Sequence, residues 1–237
     1  MGNMVSGAAR YSKMRLTEKL HPFKPPVGGK FSKSGLLMDE DGYVMAMHEP
    51  MAVHFAQKFS GEHLVEICSG AGSMTVQFGK FSGRVSTIDM DIYRAKRCIP
   101  HNAAIYGVRD KVSAIWGNGL DEGLLRSLAP VDAVFADPDW LLDDPPRDFP
   151  IAYTQPSIPA VFEKVNRLLT PNIAIRMVKT TMIEDVLKLG PCKIEYVFWD
   201  NKLKFLMTSF GRFASEQGKF ETRFSSQKGF LSSLPIR

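Results

Sequence analysis

The chain has 237 residues, 44% of them hydrophobic and 23% charged, which suits one domain with a sizeable core and leaves two full-sized domains cramped. No run approaches the ~18 apolar residues of a membrane span. Three scattered cysteines, Cys68, Cys98 and Cys192, form neither a disulfide framework nor a zinc signature, so a reducing compartment is expected rather than secretion, and no hydrophobic signal segment opens the chain. The net charge of +5 divides unevenly: residues 1–35 carry +6 and residues 201–237 carry +5, leaving −6 for the body between them. Such a distribution either meets a polyanion at one rim or simply solvates the chain ends.

Taken from the amino end, residues 1–35 read as a basic arm, because Pro22, Pro25, Pro26, Gly28, Gly29 and Gly35 break any helix or strand. The first six residues fit the loose N-myristoylation pattern, and the match is read as coincidence. Within 49–59 the apolar Met51, Ala52, Phe55 and Ala56 recur at helical spacing. Strands and helices then alternate. The run 63–68 predicts a strand ending at Ser69-Gly70-Ala71-Gly72, with a helix starting near Ser73 or Thr75. A second strand, 84–88, ends at Asp89-Met90-Asp91 and leads into a helix over 92–106 that Pro100 must bend or interrupt. A third, 112–116, is followed by Gly117-Asn118-Gly119, and a fourth, 131–136, by Asp137-Pro138-Asp139-Trp140. After a proline-rich loop over 143–150 come a helix at 159–169, a fifth strand at 173–178, and a hairpin of 193–199 with 203–210 across Asp200-Asn201-Lys202. This alternation predicts an α/β fold with a mainly parallel sheet and an antiparallel edge. The last stretch, rich in Ser, Gly and Lys, reads as a basic tail.

In such sheets ligands bind beyond the carboxyl ends of the strands. Glycines in Glu66-Ile67-Cys68-Ser69-Gly70-Ala71-Gly72 let the backbone turn and approach a ligand, and the helix start behind favours an anion. Thr75 stands where a dinucleotide fingerprint has its third glycine or alanine, which argues against a nicotinamide or flavin. Asp89 can accept hydrogen bonds from both ribose hydroxyls of an adenosine, while Asp91 sits where a helix cap belongs. Asn118 either reads an adenine edge or turns the chain. The most informative segment is Asp137-Pro138-Asp139-Trp140. A carboxylate, a carbonyl fixed by Pro138 and the plane of Trp140 suit a planar substrate bearing an exocyclic amine, with stacking worth ~1–3 kcal/mol per base. The cysteines are not placed as nucleophiles, the five histidines lack metal spacing, and no phosphate-loop lysine motif is present. Lys179, Lys202 and Lys204, near later strand ends, either meet phosphates or are solvated.

These residues resemble the class I S-adenosylmethionine-dependent methyltransferases and, more narrowly, the trimethylguanosine synthase family of RNA cap guanine-N2 methyltransferases. The likeness runs from about residue 31 to 213. It is carried by Phe31-Ser32-Lys33 and the stretch from Leu37 to Tyr43, by Cys68 to Gly72 with Gln77-Phe78, and by Ile88-Asp89-Met90-Asp91. Asn102-Ala103, Tyr106-Gly107, Asp110-Lys111 and Asn201-Lys202-Leu203-Lys204 with Phe210-Gly211 continue it. The resemblance implies a Rossmann-like, mainly parallel seven-stranded sheet with an antiparallel C-terminal hairpin over residues 36–213, between a basic N-terminal arm at 1–35 and a basic C-terminal tail at 214–237. It implies S-adenosylmethionine as cofactor, held by Glu66, Ser69, Gly70, Gly72, Asp89, Asp91, Asn118 and Asp137, with Asp137, Pro138 and Trp140 catalytic. Trp140 is then expected to stack on 7-methylguanine, with Lys33, Lys179, Lys202 and Lys204 facing the cap phosphates. The implied reaction is methyl transfer to the exocyclic N2 amine of 7-methylguanosine in capped RNA. Methylation of internal RNA or DNA bases and a degenerate, RNA-binding fold are the alternatives. A monomer without metal or membrane attachment, working in nucleus or cytoplasm, is expected. The sequence departs from the family pattern where Glu66 and Asn118 each replace an Asp, Met47 replaces a Thr, and Asp137-Pro138-Asp139-Trp140 replaces Ser-Pro-Pro-Trp. The last change moves the motif towards the Asp-Pro-Pro-aromatic type of amino-methylating enzymes.

Overall fold

The protein's structure, a computed structural model, describes residues 25–26, 29–140 and 146–236. Residues 1–24, 27 and 28 of the expected arm and 143–145 of the proline-rich loop lie outside the described residues. The strands are β1 (His63–Ile67), β2 (Arg84–Asp89), β3 (Val112–Trp116), β4 (Ala133–Ala136), β5 (Ile173–Val178), β6 (Lys193–Trp199), β7 (Lys202–Ser209), β8 (Gly218–Ser225) and β9 (Gly229–Pro235). Among the described residues they form one sheet in the order β3-β2-β1-β4-β5-β7-β6-β8-β9. β7 and β9 run antiparallel to their neighbours, and every other pairing is parallel.

The period of two along each strand sorts its side chains between two helical layers. Leu64, Ala133, Phe135, Ala174 and Phe205 face α2 (Glu49–Phe59), α3 (Thr75–Phe81) and α4 (Ile99–Ile105). Val65, Ile67, Val134, Ala136 and Ile175 face α5 (Glu122–Leu128), α6 (Ile158–Leu168) and α7 (Ile183–Leu187). Because β1, β4 and β5 are covered on both faces, they read as near-continuous apolar runs. Phe55 and Phe59 of α2 are completely buried, each worth ~1.5–3 kcal/mol of burial.

One expectation changes, and the expected interruption of a helix falls just before Pro100. Residues 214–237 are not a tail: 218–225 and 229–235 add two strands, so the sheet has nine rather than seven. The cause is a period-two pattern hidden by polar composition, with Phe220, Thr222 and Phe224 buried between exposed or partly exposed neighbours. Phe224 packs against His54, Phe55 and Phe230. The helix over 92–106 is split into a π-helical turn (Arg94–Cys98) and α4. Pro100 falls in the first turn of α4, where its missing N–H is no loss, and the extra residue is taken up before it as Ile99 N–H bonds Arg94 O.

The described end of the arm is packed. Phe31 is buried, and Lys30 Nζ donates to the carbonyls of Tyr43, Val44 and Ala46, closing the C-terminus of α1 (Glu40–Met45). α1, α5 and α7 are short elements outside the expected set, although Asp121 before α5 is a capping residue that accepts from Leu124 N–H at 2.8 Å.

Strand order reverses between β1 and β4: the chain runs outward from β1 through β2 to β3, then returns to β4 on the other side. The crevice beyond the carboxyl ends of these two strands is where a doubly wound sheet binds its ligand.

Candidate active site

The turn after β1 leaves the strand in left-handed conformations, with Cys68 at φ 63°, Gly70 at φ 56° and Gly72 at φ 85°. A side chain on Gly72 would approach Ile99 Cγ1 to 3.1 Å, so the turn lies close against α4. At Gly70 a side chain would meet nothing within 4 Å: the backbone faces open space, as a ligand-approaching turn must. Gly70 N–H donates to Asp89 Oδ2 at 2.8 Å, joining the turns after β1 and β2. Asp89 Oδ1 accepts from Asp91 N–H at 2.8 Å, and burial raises the Asp89 carboxyl. Asp91 caps the π-helical turn by accepting from the N–H groups of Tyr93 and Arg94. Ser69 is buried and its hydroxyl has no partner among the described residues.

Glu66 lies under this turn rather than at its open side. It is 1% exposed and accepts from the hydroxyls of Thr75 at 2.5 Å and Thr87 at 2.9 Å, anchoring the start of α3 to β2. Burial pushes its carboxyl up to about 8. Asn118 is exposed and its Oδ1 accepts from Leu120 N–H at 2.9 Å, a turn bond. Around it the sequence reading missed an apolar rim. Met90 is 58% exposed and Trp116 55%, with Trp116 Nε1 donating to Met90 O at 3.0 Å. The strand-end tryptophan in β3 was the available signal.

After β4, Asp137 N–H bonds Ile67 O at 3.1 Å, which places its side chain beside the β1 turn. Pro138 is buried, and Asp139 exchanges backbone hydrogen bonds with Gln155. The main surprise is Arg176 of β5. Its Nη1 donates to Asp137 Oδ2 at 2.9 Å and to Met45 O at 2.9 Å. Its guanidinium carbon stands 5.4 Å from the Trp140 ring centroid and 4.8 Å from that of Phe205. Burial raises the Asp137 carboxyl, and the Arg176 charge opposes that rise. Nothing in the strand pattern of 173–178 marked Arg176 as part of the site.

The basic residues separate. Lys33, Lys179, Lys202 and Lys204 are exposed. Lys204 and Arg176 both act on Lys30, whose amine burial and those charges hold down to about 8; Lys30 and Lys204 also act on His48, which stacks on Trp199 at 4.2 Å. Lys204 is thus grouped with Lys30 and Arg176, whereas no contact among the described residues draws Lys33 or Lys179 to them.

The segment ahead of the fold closes over the cofactor turn. Asn102 accepts from Leu37 N–H and donates to the carbonyls of Leu37 and Ala71, all within 2.9 Å. Arg94 forks onto both oxygens of Asp39 at 2.7 Å. Leu37, Asp39, Ala71 and Asn102 are residues on which the family likeness was read, and these two sets of bonds tie the segment to the β1 turn and to the π-helical turn. The donor set fits an adenosine-bearing cofactor: an open glycine, a buried strand-end carboxylate, an unpartnered Ser69 hydroxyl and an apolar rim. The cysteines are free and burial raises all three thiols, Cys98 to about 12, which is unsuited to a nucleophile. Among the described residues no three His, Cys, Asp or Glu side chains are grouped to hold a metal ion, and no helix is long and apolar enough to cross a membrane.

Comparison with known proteins agrees. Residues 61–147 match the family of RNA cap guanine-N2 methyltransferases. A protein of Porphyromonas gingivalis W83 assigned as a methyltransferase superposes with a TM-score of 0.66 at 13% identity, covering 80% of this chain and 48% of that one. A precorrin-6y C5,15-methyltransferase of Geobacter metallireducens GS-15 superposes at 0.53 and 11% identity, covering 78% and 99%. The chain thus spans about half the length of the first of these, and at such identities what is shared is the fold. Over residues 61–147 the chain is thus similar to the RNA cap guanine-N2 methyltransferases, and with these methyltransferase structures it shares the fold, a doubly wound sheet that closes on antiparallel pairing.

Proposed function

We propose that the chain methylates the exocyclic N2 amine of guanine in capped RNA, the 7-methylguanosine of the family likeness being the first reading. The observation that carries it is that Asp137 and Trp140, both just beyond the carboxyl end of β4, flank the same guanidinium of Arg176 next to the β1 turn. S-adenosylmethionine, when bound, supplies a methyl carbon on a sulfonium sulfur as the electrophile. Gly70 and Gly72 would let the backbone approach it, Ser69 and Asp89 would hydrogen-bond it, and the rim of Met90 and Trp116 would cover the face of its adenine. Asn118 and Asp91 shape the turns on either side, and Glu66 holds the turn from beneath.

Trp140 gives the base its plane. Asp137 Oδ1, which has no donor among the described residues, accepts one amine hydrogen and so directs the nitrogen lone pair at the methyl carbon. The fixed carbonyl of Pro138 takes the other. Once methylated, the nitrogen would be acidic, and water or Asp137 would take its proton. No strong base is needed beforehand, and positioning alone can supply ~7–11 kcal/mol of the barrier. The phosphates are assigned to Lys202 and Lys204 at the hairpin, with Lys33 and Lys179 added on the family likeness alone, while Lys30 is engaged in closing α1.

Replacing Trp140 by alanine is expected to weaken cap-dinucleotide binding at least tenfold by calorimetry while S-adenosylmethionine binding persists. Equal loss of both, or of neither, refutes the assignment. A second reading, amine methylation of an internal RNA or DNA base, is favoured by the carboxylate at position 137 and its pairing with Arg176. Assays on capped and uncapped RNA separate the two.

A further inference from the structure

Beyond Trp140 the rim of the sheet carries a second aromatic pair. β5 and β6 are both antiparallel to β7, which lies between them, so their carboxyl ends share one rim, about 10 Å apart across the sheet. The last residue of β6 is Trp199, and its indole lies face to face with the His48 ring, centroids 4.2 Å apart and planes 13° from parallel. His48 stands at the head of α2, three positions after Met45, whose carbonyl accepts from the Arg176 side chain that lies against Trp140. The short segment 45–48 thus runs from the first aromatic place to the second. Both rings of the pair are partly exposed, His48 makes no side-chain bond at the helix head, and neither its ring nitrogens nor Trp199 Nε1 has a hydrogen-bond partner among the described residues.

Charge is arranged around this pair. Burial, with Lys30 and Lys204 nearby, holds the His48 imidazole down to about 4, so at neutral pH the ring offers a plane and no charge. The cations stand beside it. Lys202 is exposed and directly opposite Trp199 across the hairpin, hence on the same face of the sheet, and exposed Lys204 follows two residues along β7. Asp200, which also acts on His48, is bonded through Oδ1 to the N–H and hydroxyl of Ser226 in the turn between β8 and β9. A neutral aromatic plane bordered by exposed lysines suits single-stranded nucleic acid of any sequence: the lysines take phosphates and the plane takes whichever base follows. In capped RNA the terminal guanosine is joined 5′ to 5′ through three phosphates to the next nucleoside, and that bridge, when extended, reaches from one platform to the other.

We propose that the His48–Trp199 stack is a second base platform, which takes the nucleoside on the far side of the triphosphate bridge while Lys202 and Lys204 hold the phosphates between. This extends the reading of Trp140 as the guanine platform and rests on it.

The test is an equilibrium titration of the full chain, saturated with S-adenosylhomocysteine so that no methyl is transferred. Two ligands are compared: a 7-methylguanosine cap dinucleotide with adenosine as its second nucleoside, and the same molecule lacking that adenine. The wild type is expected to bind the complete dinucleotide more tightly by about fivefold or more, the low end of what stacking one base supplies. Trp199→Ala brings the ratio close to one and leaves binding of the baseless ligand unchanged. His48→Ala, which lies outside the sheet, acts in the same direction and decides the matter should Trp199→Ala fail to fold. A wild-type ratio near one, or a ratio that the folded variant leaves unchanged, overturns the proposal. Trp140→Ala, run in parallel, is expected to weaken both ligands alike. If it binds both as the wild type does while the ratio still depends on Trp199, the second platform stands and the reading of Trp140 falls. A wild type that binds neither ligand overturns both.

Discussion

Glu66→Gln perturbs the one carboxyl that is buried under the cofactor turn. In the folded chain the group is 1% exposed, faces two threonine hydroxyls and has no cation to pair with among the described residues. Burial outweighs those hydrogen bonds and raises it from its ordinary 4.5 to about 8. The protonated form is therefore favoured by folding. Its stabilising contribution is fully present below about 4.5 and is lost as pH rises towards about 8, because the folded state then holds a proton that the unfolded state has released. At 1.36 kcal/mol per unit, the loss by pH 7 is on the order of 3 kcal/mol. For a chain of this size that corresponds to roughly 6–12 °C in Tm. Glutamine keeps the shape and still accepts from Thr75, but it does not titrate. Asp89 and Asp137 are also raised by burial and tilt both proteins in the same direction, so the difference between the two isolates position 66. Thermal melts at pH 5, 6, 7 and 8 are expected to show Glu66→Gln gaining on the wild type as pH rises. Two parallel curves refute the reasoning.

Removing residues 216–237 strips Phe220 and Phe224 from the core and uncovers the edge of β6, so the truncated chain is expected to lose its cooperative melt; an unchanged Tm would restore the tail reading. Asp89→Asn halves the charge-assisted bonding at the β2 end and is expected to weaken S-adenosylmethionine binding about tenfold, ~1.4 kcal/mol, with little change in Tm, as calorimetry and melting together would show.

What the sequence made legible follows from local rules. The strands from β1 to β7 were read from apolar runs and their polar ends, since buried parallel strands and the turns that end them each carry a short-range signal. Gly70, Asp89 and Asp137 were singled out because ligands of such sheets bind beyond the carboxyl ends of the strands, and the fold brings the three to neighbouring strand ends. Three features were not legible, each for a physical reason. Arg176 lies inside a strand, and its role is set by Asp137, Trp140 and Phe205, which are distant in sequence. Glu66 was expected at the cofactor, but alternation along β1 turns it to the face of Thr75 and Thr87. β8 and the edge strand β9 were hidden because strands at the rim of a sheet carry polar residues on their open sides, and composition then resembles that of a tail.

The most direct test of the central claim is transfer of labelled methyl from S-adenosylmethionine to capped RNA, followed by nucleoside analysis of the product. The account predicts N2-methylated guanosine from the wild type and none from Trp140→Ala. Tight S-adenosylmethionine binding with no transfer to any RNA, or a methyl group recovered on a different atom, contradicts it.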